Sequence, residues 1–147
     1  MKIMKAKLLV IMFLCIFTIM KQSRIETILE TENPLLIVTN YTLKTYLSQY
    51  DKFFILIHSP WCKWSQKLES ILLKINRHLK LEPQNSYIGI IDQTLENFNE
   101  HFKESINNGL LEFNYEFPTI LYFEKGKRKE TYKDRLEFDV VFHWIKR

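Results

Sequence analysis

Apolar and polar positions follow one another along this chain in blocks that predict strands and helices in turn. "LLIVTN" at 35–40 is a short apolar run rich in branched residues, the pattern of a strand. Leu43, Tyr46, Leu47 and Tyr50 then recur at helical spacing, and "FFILIHS" at 53–59 is apolar almost throughout. A run with so little alternation suits a central strand covered on both faces, as parallel strands usually are. From Cys62 onward, Leu68, Ile71, Leu72, Ile75 and Leu79 fall at steps of three and four, one apolar stripe along a long helix. "SYIGIID" at 86–92 predicts a further buried strand, and Leu95, Phe98, Phe102 and Ile106 predict one helix ending near Asn108 and Gly109. "PTILYFEKGKRKETYKD" reads as a hairpin turned at Lys125 to Lys127, and Phe138, Val141, Phe142 and Ile145 mark the inner face of a last helix.

Strands that alternate with helices imply right-handed crossovers and parallel pairing, and the final hairpin adds antiparallel strands to the same sheet. The expected class is therefore α/β, a central mixed sheet with helices on both faces. A chain of 147 residues fits one domain, placed at 35–147. Residues 1–22 read as a secretory signal peptide or a signal anchor, because Lys2, Lys5 and Lys7 precede thirteen uncharged residues, Leu8 to Met20. Residues 23–34 are a polar linker.

That division changes the charge. The chain has 21 basic and 17 acidic residues, but removing the N-terminal segment leaves 18 against 17, or +1. Such a domain lacks the basic footprint of a nucleic-acid binder, and "KGKRK" at 125–129 reads as a solvated turn. His58, His78, His101 and His143 form no ligand spacing, so neither a metal site nor a cofactor is expected, and His58 is expected at the surface. Cys15 falls inside the N-terminal run, which leaves Cys62 as the domain's one thiol: free and reactive, paired to another molecule, or inert. A cysteine at a helix start faces unpaired amides and the positive end of the helix dipole, both of which favour thiolate, and Lys63 adds positive charge. Asn40-Tyr41-Thr42 is a glycosylation sequon, and Asn40 also reads as a helix cap.

Element order and "PWCKWSQKL" together carry a resemblance. Pro60-Trp61-Cys62 after a buried strand, Asp92 closing the third strand and Phe117-Pro118-Thr119 opening the fourth are similar, in order and spacing, to a thioredoxin-fold domain of the protein disulfide isomerase family. Within that family, Cys-Lys-Trp-Ser-Gln at 62–66 is similar to the Cys-Arg-Phe-Ser-Gln site of a thiol-retention chaperone of the endoplasmic reticulum. The resemblance implies a cis bond at Pro118 and a client groove at Trp61, Phe117, Pro118 and Thr119. It also implies Cys62 as nucleophile and Ser65 in the place of a resolving thiol.

Three departures narrow the expectation. The buried acid that the family carries six residues before its first cysteine is Leu56 here, Ser65 cannot resolve a mixed disulfide, and the 26 positions from Asp92 to Pro118 imply an enlarged third helix or loop. A monothiol glutaredoxin fits less well, since Lys63 stands where that family has glycine and the chain has no diglycine. Two functions follow. One is a secretory-pathway isomerase-like protein that binds cysteine-containing clients, or a dithiol partner, through mixed disulfides for retention or isomerisation. It is not a self-sufficient dithiol oxidase or reductase. The other is a redox-inactive thioredoxin-fold interaction module, placed at a membrane if the N-terminal segment is retained. The expected location is the endoplasmic reticulum lumen or outside the cell, or a membrane facing the lumen.

Overall fold

The computed structural model describes residues 34–81, 86–95, 97–111 and 117–147. The N-terminal segment, most of the linker, and residues 96 and 112–116 of the stretch expected to be enlarged lie outside them. Five strands form one sheet: β1 (Leu36–Ile37), β2 (Lys52–His58), β3 (Ser86–Asp92), β4 (Thr119–Glu124) and β5 (Lys127–Thr131), in the order β1-β3-β2-β4-β5. β2 pairs with β3 in parallel and with β4 antiparallel, and β5 closes the hairpin antiparallel to β4. The helices are α1 (Asn40–Gln49), α2 (Lys63–Lys80), α3 (Phe98–His101), α4 (Lys103–Asn107) and α5 (Phe138–Lys146). This is the α/β mixed sheet expected from the alternation.

The unbroken apolar run of β2 has a direct cause. Its odd positions, Phe53, Ile55 and Ile57, pack with Leu43 and Leu47 of α1 and Phe98 of α3 on one face. Its even positions, Phe54 and Leu56, pack with Leu68, Leu72 and Ile75 of α2 and Val141 and Ile145 of α5 on the other. A strand sandwiched this way has no solvent face on which polar residues are tolerated.

Two expectations need correction. The single helix expected from Leu95 to Ile106 is interrupted: Asn97 takes a left-handed φ of 60°, Leu95 lies exposed before it, and Phe102 breaks the backbone between α3 and α4. The four-residue period survives the break because Phe98 and Phe102 still pack against each other, their rings tilted by 36° with centroids 4.9 Å apart. The cap of α1 is Thr39, not Asn40. Thr39 Oγ1 accepts from the Thr42 N–H at 3.2 Å while Thr42 Oγ1 accepts from the Thr39 N–H at 2.8 Å, a reciprocal capping box. Asn40 is the first helical residue and is half-buried.

β1 approaches β3 at Gly89, where an added Cβ would lie 2.5 Å from Val38 Cγ2 and 2.8 Å from Phe53 Cζ. Both neighbours are packed core side chains. Gly89→Ala is therefore expected to cost about 1–3 kcal/mol of stability, read as a lowered urea midpoint.

Candidate thiol site

β2 delivers the chain to the site. At its end Ser59 to Cys62 form a tight turn, closed by the Cys62 N–H donating to the Ser59 carbonyl at 3.0 Å. Gln66 ties the same turn to the helix, donating from Nε2 to the Pro60 carbonyl at 2.7 Å. Cys62 is the N-cap of α2, with extended backbone and a half-buried side chain. Leu68 and Leu72, one and two turns into the helix, are fully buried against the sheet, so the apolar stripe fixes where the cap residue lies.

Cys62 makes no standard capping hydrogen bond. Donors close to its sulfur nevertheless favour the anion. The Ser65 backbone N–H, the Ser65 hydroxyl and the Trp64 N–H together hold the thiol below the ordinary cysteine range, outweighing a smaller opposing effect of burial. Ser65 is fully buried, and its Oγ accepts from the Ser59 N–H at 3.3 Å. It thus links the end of β2, the turn and the cysteine. Lys63 is exposed at the first position of α2, and no acidic residue occupies that first turn.

Thiolate is the reactive form, so its fraction falls as pH drops through the lowered pKa. Alkylation of Cys62 by iodoacetamide is expected to reach half its maximal rate below the free-cysteine midpoint of about pH 8.5. Ser65→Ala is expected to move that midpoint up without restoring the free value, because the Ser65 backbone N–H remains. A rate-against-pH series on both proteins checks this.

Trp61 and Phe117 come together as edge-to-face rings with centroids 6.2 Å apart, and the Phe117–Pro118 peptide bond is cis. Thr119 follows in β4, buried and in register with Ile57. The site residues expected from the sequence, Trp61, Cys62, Lys63, Ser65, Phe117, Pro118 and Thr119, therefore lie at one end of the sheet or in the segments joined to it. Asn40 opens α1, which follows the edge strand β1, two strands across the sheet from β2. Two tryptophans flank the cysteine in the open, Trp61 72% and Trp64 60% exposed, with Lys67 Nζ 5.5 Å from the Trp64 ring centre.

His58 is not at the surface. It is only 8% exposed, and its Nδ1 lies 3.6 Å from Glu69 Oε2, seven residues beyond Cys62 on α2. The signal was available in strand parity: His58 shares the face of Phe54 and Leu56, which looks onto α2. Leu56 itself is fully buried in that apolar cluster. Position 56, where the sequence resemblance implies a buried acid, therefore lies in an apolar environment.

No protein-family model matches the sequence, and no curated protein does. Solved structures do. A thioredoxin mutant from Halobacterium salinarum superposes with a TM-score of 0.57 at 18% identity, over 78% of this chain and 88% of that one. Mitochondrial thioredoxin 3 from Saccharomyces cerevisiae gives 0.56 at 16%, over 76% and 93%. Human ERp44 gives 0.61 at 14% identity, over 78% of this chain but only 29% of ERp44. These likenesses establish the thioredoxin fold.

Proposed function

We propose that this chain is a protein disulfide isomerase-like protein of the secretory pathway that holds or isomerises cysteine-bearing clients through a mixed disulfide at Cys62. The observation that carries the reading is the placement of Cys62 at the head of α2, where Ser65 and Trp64 donors favour thiolate. The fold shared with thioredoxins and ERp44 supports a thiol role in general terms.

In the proposed reaction the Cys62 thiolate attacks one sulfur of a client disulfide. The client S–S bond breaks as the Cys62–client S–S bond forms, and the departing client sulfur leaves as thiolate and takes a proton from water. Release reverses the polarity: a second client thiolate, or glutathione, attacks the client sulfur and Cys62 departs as thiolate. Attack from within the same client isomerises it. Ser65 has no sulfur with which to displace the client, so the mixed disulfide persists until an outside thiol attacks and no disulfide forms between positions 62 and 65. Exposed Trp61, half-buried Phe117 and the edge at Pro118–Thr119 supply the surface for an extended client backbone.

Leu56 favours a second reading, a redox-inactive interaction module, because a buried leucine moves no protons. Trapping cells with an alkylating agent separates the two. Wild type is expected to carry disulfide-linked partners on non-reducing gels, and Cys62→Ala is expected to lose all of them. Identical patterns from both proteins would leave the interaction module standing.

A further inference from the structure

His58 is a buried titratable group that the thiol chemistry leaves unused. It ends β2, only 8% exposed, and shares the face of Phe54 and Leu56 that looks onto α2. Its Nδ1 has no hydrogen-bond partner, and neither does the hydroxyl of Ser59, the fully buried residue that follows it. Buried polar atoms in this state are uncommon, because each gives up water without replacing it. These two stand where β2 turns into the cysteine. Ser59 accepts at its carbonyl from the Cys62 N–H at 3.0 Å and donates its own N–H to Ser65 Oγ at 3.3 Å. His58 is thus joined, through its neighbour, to both residues of the thiol site.

α2 supplies the counter-charge. Cys62, Ser65 and Glu69 fall at steps of three and four, so they follow one another along the face of the helix that meets the end of β2. At 3.6 Å from His58 Nδ1, Glu69 Oε2 is too far for a hydrogen bond but close enough for an ion pair once the imidazole is protonated. The Glu69 side chain is 36% exposed, which opens the pair to solvent at its outer end. Asp92 faces His58 across the β2–β3 register, and its Oδ1 is engaged by the Thr94 N–H at 2.8 Å and hydroxyl at 2.6 Å. β4 begins beside Ile57 with Thr119, and the residues that α5 buries are Val141 and Ile145, none of them titratable. Histidine is the side chain whose ordinary charge change falls between about pH 5 and 8.

We propose that His58, held by Glu69, is a positioning residue whose charge sets the reactivity of Cys62. With the imidazole protonated, a positive charge behind the turn favours the Cys62 thiolate over the thiol. With the imidazole neutral, only the Ser65 and Trp64 donors do so. Cys62 therefore ionises in two steps that belong to the pair rather than to either residue. The proposal rests on the reading of Cys62 as the reactive thiol, and it gives the site an ionisable group that Leu56 does not.

Iodoacetamide alkylation of the full chain tests it, followed at Cys62 by mass spectrometry so that Cys15 is counted apart. Over about pH 5 to 9, wild type is expected to show two inflections, the lower one in the histidine range. His58→Gln and His58→Phe are expected to show one. Both should react about threefold more slowly than wild type at about pH 6, yet alike at about pH 9, where the wild-type imidazole is neutral. The phenylalanine variant keeps a ring against the apolar face, so the comparison holds if the glutamine variant does not fold. Glu69→Gln, at a half-exposed position, is expected to lose part of the same advantage at the lower pH. Rates that match wild type at every pH, or a slowing that is the same at every pH, would overturn the role of His58. A wild-type midpoint below about pH 8.5 would then leave Cys62 standing as a reactive thiol, whereas a midpoint at that value would remove both.

Discussion

Ser65→Cys is expected to convert a capturing site into a releasing one. The Ser65 side chain already favours the Cys62 thiolate by hydrogen bonding, so a thiol there stands in place to attack the Cys62 side of a mixed disulfide. The reaction becomes intramolecular, and mixed disulfides are expected to shorten in lifetime by on the order of a thousandfold, a modest share of what oriented intramolecular attack provides. The balance also changes. Attack by the new thiolate on Cys62 Sγ expels the client as thiolate and leaves a disulfide between Cys62 and the introduced sulfur, two electrons having passed to the client.

Trapped complexes should accordingly vanish from non-reducing gels while insulin reduction in the presence of dithiothreitol appears. The variant loses the oxygen that accepts from the Ser59 N–H, a local cost of about 1–3 kcal/mol that a urea titration will register separately. Persistent complexes in a folded Ser65→Cys protein would mean that the residue at 65 does not set client lifetime.

Leu56→Asp is expected to unfold the domain at neutral pH rather than to restore a proton relay. Leu56 is fully buried among Leu68, Leu72 and Ile120, with no polar partner supplied by that cluster. Losing the leucine contacts and burying a carboxyl together should cost about 4 kcal/mol or more, a large share of the stability of a domain this size. Burial raises the carboxyl pKa in the folded state above its unfolded value of about 3.9. The folded protein then binds more protons than the unfolded one, so stability falls as pH rises from the unfolded pKa through the folded one. The deficit against wild type should be smallest near pH 4 and grow toward pH 7, as urea titrations across that range would show. A deficit independent of pH would place the new carboxyl in water.

These two positions belong together. In the family that the sequence resembles, a resolving thiol and a buried acid serve disulfide exchange, and Ser65 and Leu56 stand at those two positions here. Leucine at 56 is what the apolar face against α2 and α5 requires. Both residues were legible in the sequence, since each stands at a fixed distance from Cys62. His58 and Glu69 were not legible together, because eleven positions separate them in the chain and only the packing of α2 on β2 brings Nδ1 and Oε2 to 3.6 Å.

The periodicity of apolar residues located the strands and long helices because a buried face must repeat at the step of its element. It also marked Cys62 as a helix-start thiol. It missed the interruption between α3 and α4, since Phe98 and Phe102 keep a four-residue step through a backbone that leaves the helix. It misplaced the α1 cap by one residue, because Thr39, Asn40 and Thr42 all carry capping oxygens and only the backbone dihedrals choose among them.

"HSPWCKWSQKL" and the strand before it by themselves determined the atoms at the candidate site: a cysteine at a helix start, a serine three positions on that has no sulfur, and leucine rather than an acid at 56. Those are properties of atoms and their spacing. Tertiary structure alone decided what surrounds the sulfur. It buries Ser65 between the cysteine and the end of β2, and sets the rings of Trp61 and Phe117 edge to face. It also brings His58 at the end of β2 to Glu69 on α2, with Nδ1 3.6 Å from Oε2. The reason is that a parallel crossover returns the chain to the same end of the sheet each time, so residues far apart in sequence share a pole that no local pattern records.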